Sequence, residues 1–193
     1  LGIPRVHVVG ASFGALVAIE LATGFAPLVQ SLVLVTAADV VSTDNTLEGA
    51  ALRSAIRAAA AGGDGRPVMD IIAPSPFSPE WLESNREQFA ARRAPWSMPP
   101  PAWYAGLETL LAAIENLDLR PSLSRITAPT MVIGAECDRI FPVERSRALA
   151  AAIGGASLTI IPGAPHGWVG EDPAGFADRT VAFLSQHLMR DSS

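Results

Sequence analysis

The sequence predicts an α/β fold, a parallel sheet with flanking helices, interrupted by a helical insertion. Three observations carry that prediction. The β-branched runs RVHVV at residues 5–9 and SLVLV at 31–35 flank a single helical stretch; the same alternation of strand and helix returns from residue 130; and the region between, roughly 40–118, is rich in proline and has no convincing strand. The core therefore occupies residues 1–39 and 119–193, and the insertion residues 40–118.

Taken in order, RVHVV lacks polar alternation, which suits a strand buried on both faces. GASFGALVAIELATG reads as a turn and then a helix that stops near Gly24, and SLVLVTAA as a second buried strand. A strand, a helix and a strand so close together make a parallel βαβ unit. In the insertion, Asn45 and Glu48 have capping-box spacing, Leu52, Ala55, Ile56 and Ala59 share one helical face, and Gly62-Gly63 ends that helix. A second helix starts at Ser78-Pro79. A third follows the prolines at 99–101 and carries Trp103, Leu107, Leu110, Leu111 and Ile114 along one side. Beyond the insertion, TMVIGA is a strand, VERSRALAAAIGG a helix, SLTIIPG a strand, and DPAGFADRTVAFLSQHL a helix with Asp172 as cap and Pro173 in its first turn. Phe176, Thr180, Phe183, Leu184 and Leu188 fall at helical spacing and would press this last helix onto the sheet.

Composition excludes several classes of function. With 49% hydrophobic and 17% charged residues among 193, the chain is long and apolar enough to bury a core, which excludes disorder. A net charge of -5 without a basic cluster argues against nucleic-acid binding, since such proteins neutralise phosphates with grouped cations. No apolar run reaches the roughly 20 residues of a membrane span. The single cysteine, Cys137, cannot pair within the chain, and no Cys and His have zinc-ligand spacing, so neither a disulfide nor a metal site is expected and the cytoplasm is the expected compartment. Cys137 itself reads as a small buried apolar residue.

The chemistry begins at VVGASFGA. GASFG fits G-x-S-x-G, a turn from strand to helix that exposes a serine hydroxyl above the sheet, with Gly10 and Gly14 leaving room for the close approach of the two elements. Ser12 is alternatively a helix cap in a glycine-rich turn, but the spacing matches neither the P-loop nor the dinucleotide fingerprint. A serine hydroxyl needs a base to take its proton, and the base an acid to hold its tautomer. Asp138, in GAECDRIFP, follows one buried strand, and His166, in IPGAPHGWVG, follows the next. In a parallel sheet all carboxyl ends lie on one edge, so Ser12, Asp138 and His166 can converge there. Glu136 is a competing acid two positions earlier. His7 lies inside the first strand and His187 near the end of the last helix, which leaves His166 as the candidate base among three histidines.

The segments VHVVGASFGA, PTMVIGAECDRIFP and IPGAPHGWVGEDPAGF resemble the elbow, acid and histidine segments of the α/β-hydrolase superfamily, particularly bacterial enol-lactonases, esterases and cofactor-free haloperoxidases. The resemblance covers about residues 1–40 and 119–190. It implies Ser12 as nucleophile, His166 as general base, Asp138 as orienting acid, no cofactor and no metal, and residues 40–118 as a cap over the pocket. In that superfamily further strands precede the elbow strand, and a loop among them supplies half the oxyanion hole. Here the backbone N–H of Phe13 remains as oxyanion donor. The resemblance and the unpaired apolar strand at the start together predict an N-terminal segment of about 70–120 residues, either cleaved, carried on a companion chain or omitted.

The expected function is a serine hydrolase of a carboxylic ester, lactone or thioester, with a small-molecule substrate and no nucleic-acid or membrane partner. The alternatives are a catalytically silent fragment or subunit that needs the missing half, and an acyltransferase or lyase on the same triad. Trp81, Trp96 and Trp103 with Tyr104 give the insertion an aromatic character suited to an uncharged acyl group. Trp168 and Trp103 are the substrate-binding candidates, although packing alone accounts equally well for any one ring.

Overall fold

The computed structural model describes residues 3–41, 49–94 and 99–188. The chain divides into two compact units, Leu1–Val40 with Asp118–Ser193, and Val41–Leu117.

The first unit is built on four parallel strands in spatial order β1 (Val6–Ala11), β2 (Val29–Val35), β3 (Thr130–Ala135) and β4 (Ser157–Ile161). Register follows the apolar runs, with Val8 opposite Leu32, Leu34 opposite Val132 and Gly134 opposite Ile160. Helices cover both faces, because strands that are apolar throughout must be buried on both sides. On one face Val33, Val35, Met131 and Ile133 meet Trp168 of α9 (Trp168–Glu171) and Phe176, Phe183 and Leu184 of α10 (Pro173–Ser185). The other face carries α1 (Phe13–Gly24) and α8 (Val143–Ala152). Gly134 lets α8 approach, since a Cβ on it would stand 2.8 Å from Ser146 Cβ. The four-residue α7 (Arg120–Leu123) touches both α1 and α8.

Among the described residues β1 pairs with β2 alone, and Val6 and Val9 are 40% and 42% exposed, in line with the unpaired apolar strand read from the sequence. Two expectations are corrected here. Leu188 lies beyond the end of α10 and is 65% exposed, because the chain turns at Gln186 and the helical face ends with Leu184. Cys137 is exposed rather than buried, since it sits in the turn after β3 with its backbone N–H donated to Ala164 O. The Asp172 cap stands: its Oδ1 accepts the Gly175 N–H at 2.9 Å.

The second unit is helical: α2 (Gly49–Ala60), α3 (Arg66–Ile72), α4 (Pro79–Ser84), α5 (Arg86–Arg93) and α6 (Pro101–Ile114). Leu52, Ile56, Ala59, Val68 and Tyr104 form its core, with Trp103, Leu107 and Leu111 packed against them. Arg57–Glu108 at 2.7 Å links α2 to α6, and Arg53–Glu115 at 3.1 Å links α2 to the residue that caps the end of α6. Ser78 caps α4 by accepting the Trp81 N–H, and Trp81 stacks on Phe77 at 4.7 Å. The Asn45–Glu48 pair and Trp96 lie outside the described residues.

Candidate active site

The carboxyl ends of β1, β3 and β4 deliver the three residues picked out by sequence. Ser12 forms the corner between β1 and α1, and its backbone adopts φ 53°, ψ -124°. For a residue with a Cβ this conformation is strained, and it persists because the flanking elements fix it: the Ser12 N–H donates to Val35 O at 2.9 Å, while Ser12 O accepts the Ala15 N–H. The corner is tight on the Gly10 side, where a Cβ would stand 2.7 Å from Gly14 C. The space beside Gly14 itself is open, so Gly10 alone supplies the clearance that sequence attributed to both.

Asp138 lies three residues past β3 in a turn closed by its own carboxylate. Oδ1 accepts the N–H groups of Ile140 and Phe141, each at 2.8 Å. That leaves Oδ2 for His166 Nδ1, also at 2.8 Å. On its other side His166 Nε2 is 2.7 Å from Ser12 Oγ. An ionised carboxylate only accepts, so the imidazole carries its hydrogen on Nδ1 and presents a bare Nε2 to the serine hydroxyl. Both His166 and Asp138 are buried, at 7% exposure each. The structure thus brings Ser12, His166 and Asp138 into one continuous line of hydrogen bonds.

Phe13 opens α1, so its N–H has no carbonyl one turn back within the helix and points out of the N-terminus where anions are favoured. Glu136 is not bonded to His166: its Oε2 accepts the Gly163 N–H at 2.8 Å and ties the acid turn to the histidine turn. His7 Nδ1 pairs with Ser31 Oγ at 2.7 Å, inside the sheet. Trp168 is 2% exposed in the sheet core, edge-on to Phe176, and Trp103 packs on the core of the second unit. Sequence reasoning missed Phe141. Its ring is 5% exposed and meets the His166 imidazole at 5.6 Å and 78°. The signal was an aromatic residue placed between the acid and Pro142 in DRIFP.

Residues 1–179 match the Alpha/beta hydrolase family. The chain belongs to that family. Among relatives of this alpha/beta hydrolase is RutD of Pseudomonas savastanoi pv. phaseolicola, a proposed carbamate hydrolase, 29% identical over 96% of the chain and 70% of RutD. The enol-lactonase of Burkholderia xenovorans LB400 superposes with a TM-score of 0.78 at 25% identity, over 95% of the chain and 66% of the lactonase. MGS-M2, an alpha/beta hydrolase enzyme from a Medee basin deep-sea metagenome library, shares the fold, with a TM-score of 0.80 at 22% identity over 100% of this chain and 69% of that one. The chain spans about two thirds of the length of these proteins.

Proposed function

We propose that this alpha/beta hydrolase cleaves a carboxylic ester, lactone or thioester through an acyl-enzyme on Ser12. The observation that supports the reading most is the relay from Ser12 Oγ to His166 Nε2 at 2.7 Å and from His166 Nδ1 to Asp138 Oδ2 at 2.8 Å. In this reading Ser12 Oγ bonds to the substrate carbonyl carbon as its proton passes to Nε2. The carbonyl electron pair moves to oxygen, stabilised by the Phe13 N–H and the positive end of α1. Asp138 stabilises the imidazolium. When the tetrahedral species collapses, the leaving group departs with the proton from Nε2. Water then attacks the acyl carbon, giving its proton to Nε2; the second tetrahedral species collapses with cleavage of the bond to Ser12 Oγ, which takes that proton back as the acid leaves.

A second substrate reading, carbamate hydrolysis, is favoured by the RutD relatives, one of which aligns over 96% of the chain. A carbamate carbonyl takes the same attack and differs in the group released. The test is turnover of p-nitrophenyl acetate, a δ-lactone, an acyl thioester and a phenyl carbamate by the parent and by Ser12→Ala. Turnover of one class, lost in the variant, supports the reading and selects the substrate. Acyl transfer to an added alcohol in place of water identifies a transferase. No turnover of any class by a folded parent identifies a silent fragment.

A further inference from the structure

We propose that Phe141 is a positioning residue that sets the plane of the His166 imidazole; the proposal rests on His166 acting as the base toward Ser12. Two hydrogen bonds hold the imidazole, one at Nδ1 and one at Nε2. The two nitrogens flank Cε1, and the freedom left to the ring is rotation about its Cβ–Cγ bond, which swings both nitrogens out of line with Asp138 Oδ2 and Ser12 Oγ. The ring of Phe141 removes that freedom, meeting the imidazole near-perpendicularly with centroids 5.6 Å apart.

The sequence prepares the contact. Residues 136, 137 and 139 of this turn are exposed, yet Phe141 is buried. Its backbone N–H is one of the two that fix Asp138 Oδ1 at 2.8 Å, so one residue holds the acid through its main chain and the base through its side chain. Pro142 follows with φ -47° and disfavours the helical region for Phe141, which narrows the directions its ring can take. The Nε2 lone pair lies in the imidazole plane, so tilting that plane misaims the lone pair from Ser12 Oγ and, later, the proton from the leaving group. Binding of substrate does not involve this angle. The effect therefore falls on kcat and leaves KM in place.

The test compares Phe141→Leu, which keeps the backbone N–H and an apolar side chain, with Phe141→Tyr, which keeps the aromatic face. The readouts are the rate of Ser12 labelling by a fluorophosphonate, kcat and KM on an active ester, thermal midpoint, and the low-field NMR resonance of the His166 Nδ1 proton. Phe141→Leu is expected to lower kcat and the labelling rate about tenfold with KM within about twofold, while Phe141→Tyr recovers the parent values. In the parent, the carbon-bound ring protons of His166 should show a ring-current displacement that Phe141→Leu abolishes. Parent-like labelling in Phe141→Leu, or the same loss in both variants, overturns the proposal; if Phe141→Leu does not fold, undisplaced His166 ring-proton resonances in the parent overturn it. Labelling of Ser12→Ala at the parent rate would instead sink the nucleophile reading, so the two failures are distinguishable.

Discussion

Gly10 lies directly against Gly14, with room between strand and helix for a hydrogen and nothing larger: a Cβ on Gly10 would stand 2.7 Å from Gly14 C and 2.8 Å from Ala15 Cα. These are backbone atoms and cannot step aside. Gly10→Ala should therefore destabilise the fold by about 1–3 kcal/mol, and any folded fraction should lose activity as the elbow shifts. Gly14→Ala meets open space, and should be neutral or stabilising by up to about 1 kcal/mol. Urea unfolding of the two variants checks the asymmetry.

Two carboxylates occupy the turn after β3 and make different bonds, Asp138 to His166 Nδ1 and Glu136 to the Gly163 N–H. Asp138→Asn keeps an oxygen for the Ile140 and Phe141 N–H groups but turns an NH2 toward His166 Nδ1, which forces the wrong tautomer. Activity should fall about 10⁴-fold with little change in stability. Glu136→Ala removes the acceptor of the Gly163 N–H, so it should cost about 0.5–1.5 kcal/mol of stability while activity stays within about tenfold of the parent. Steady-state rates beside thermal melts separate the two; equal catalytic losses would contradict the assignment of Asp138 as the acid.

In the helical unit, the Tyr104 hydroxyl is buried and has no hydrogen-bond partner among the described residues. Burial first, and the Asp64 carboxylate second, push its pKa above the ordinary phenol value. The neutral hydroxyl is still an unsatisfied polar group, so Tyr104→Phe should leave stability unchanged or raise it by about 1 kcal/mol. Gly65→Ala should do the reverse, because its methyl would run into the Tyr104 ring. Chemical denaturation of both variants is the measurement, and a clear loss of stability in Tyr104→Phe would show that the hydroxyl is satisfied.

The site was more legible in the sequence than its supports were. Ser12, Asp138 and His166 each follow a strand of strong β-branched character, and topology alone sends such residues to one edge. The strand and helix sequence of the core was readable for the same reason. What sequence could not give was the outcome of packing. Arg66–Ile72 and Arg86–Arg93 are too short to show a helical period. Trp168 stands two residues past His166 in the sequence, and that proximity alone makes it a substrate-binding candidate. The structure gives its ring a place against Phe176 and the sheet, a contact set by an element that follows it. Phe141 escaped notice because its ring contact is with a residue on another strand's turn.

If Ser12 is a nucleophile activated by His166, intact-mass measurement of fluorophosphonate labelling will show one adduct per parent chain, located on Ser12 by peptide mapping. Folded Ser12→Ala should carry no adduct, and labelling of folded His166→Ala should be slowed by a factor of about 10³ or more, on the order expected for triad members that act as a unit. An adduct on Ser12→Ala at the parent rate, or His166→Ala labelled as fast as the parent, would contradict it.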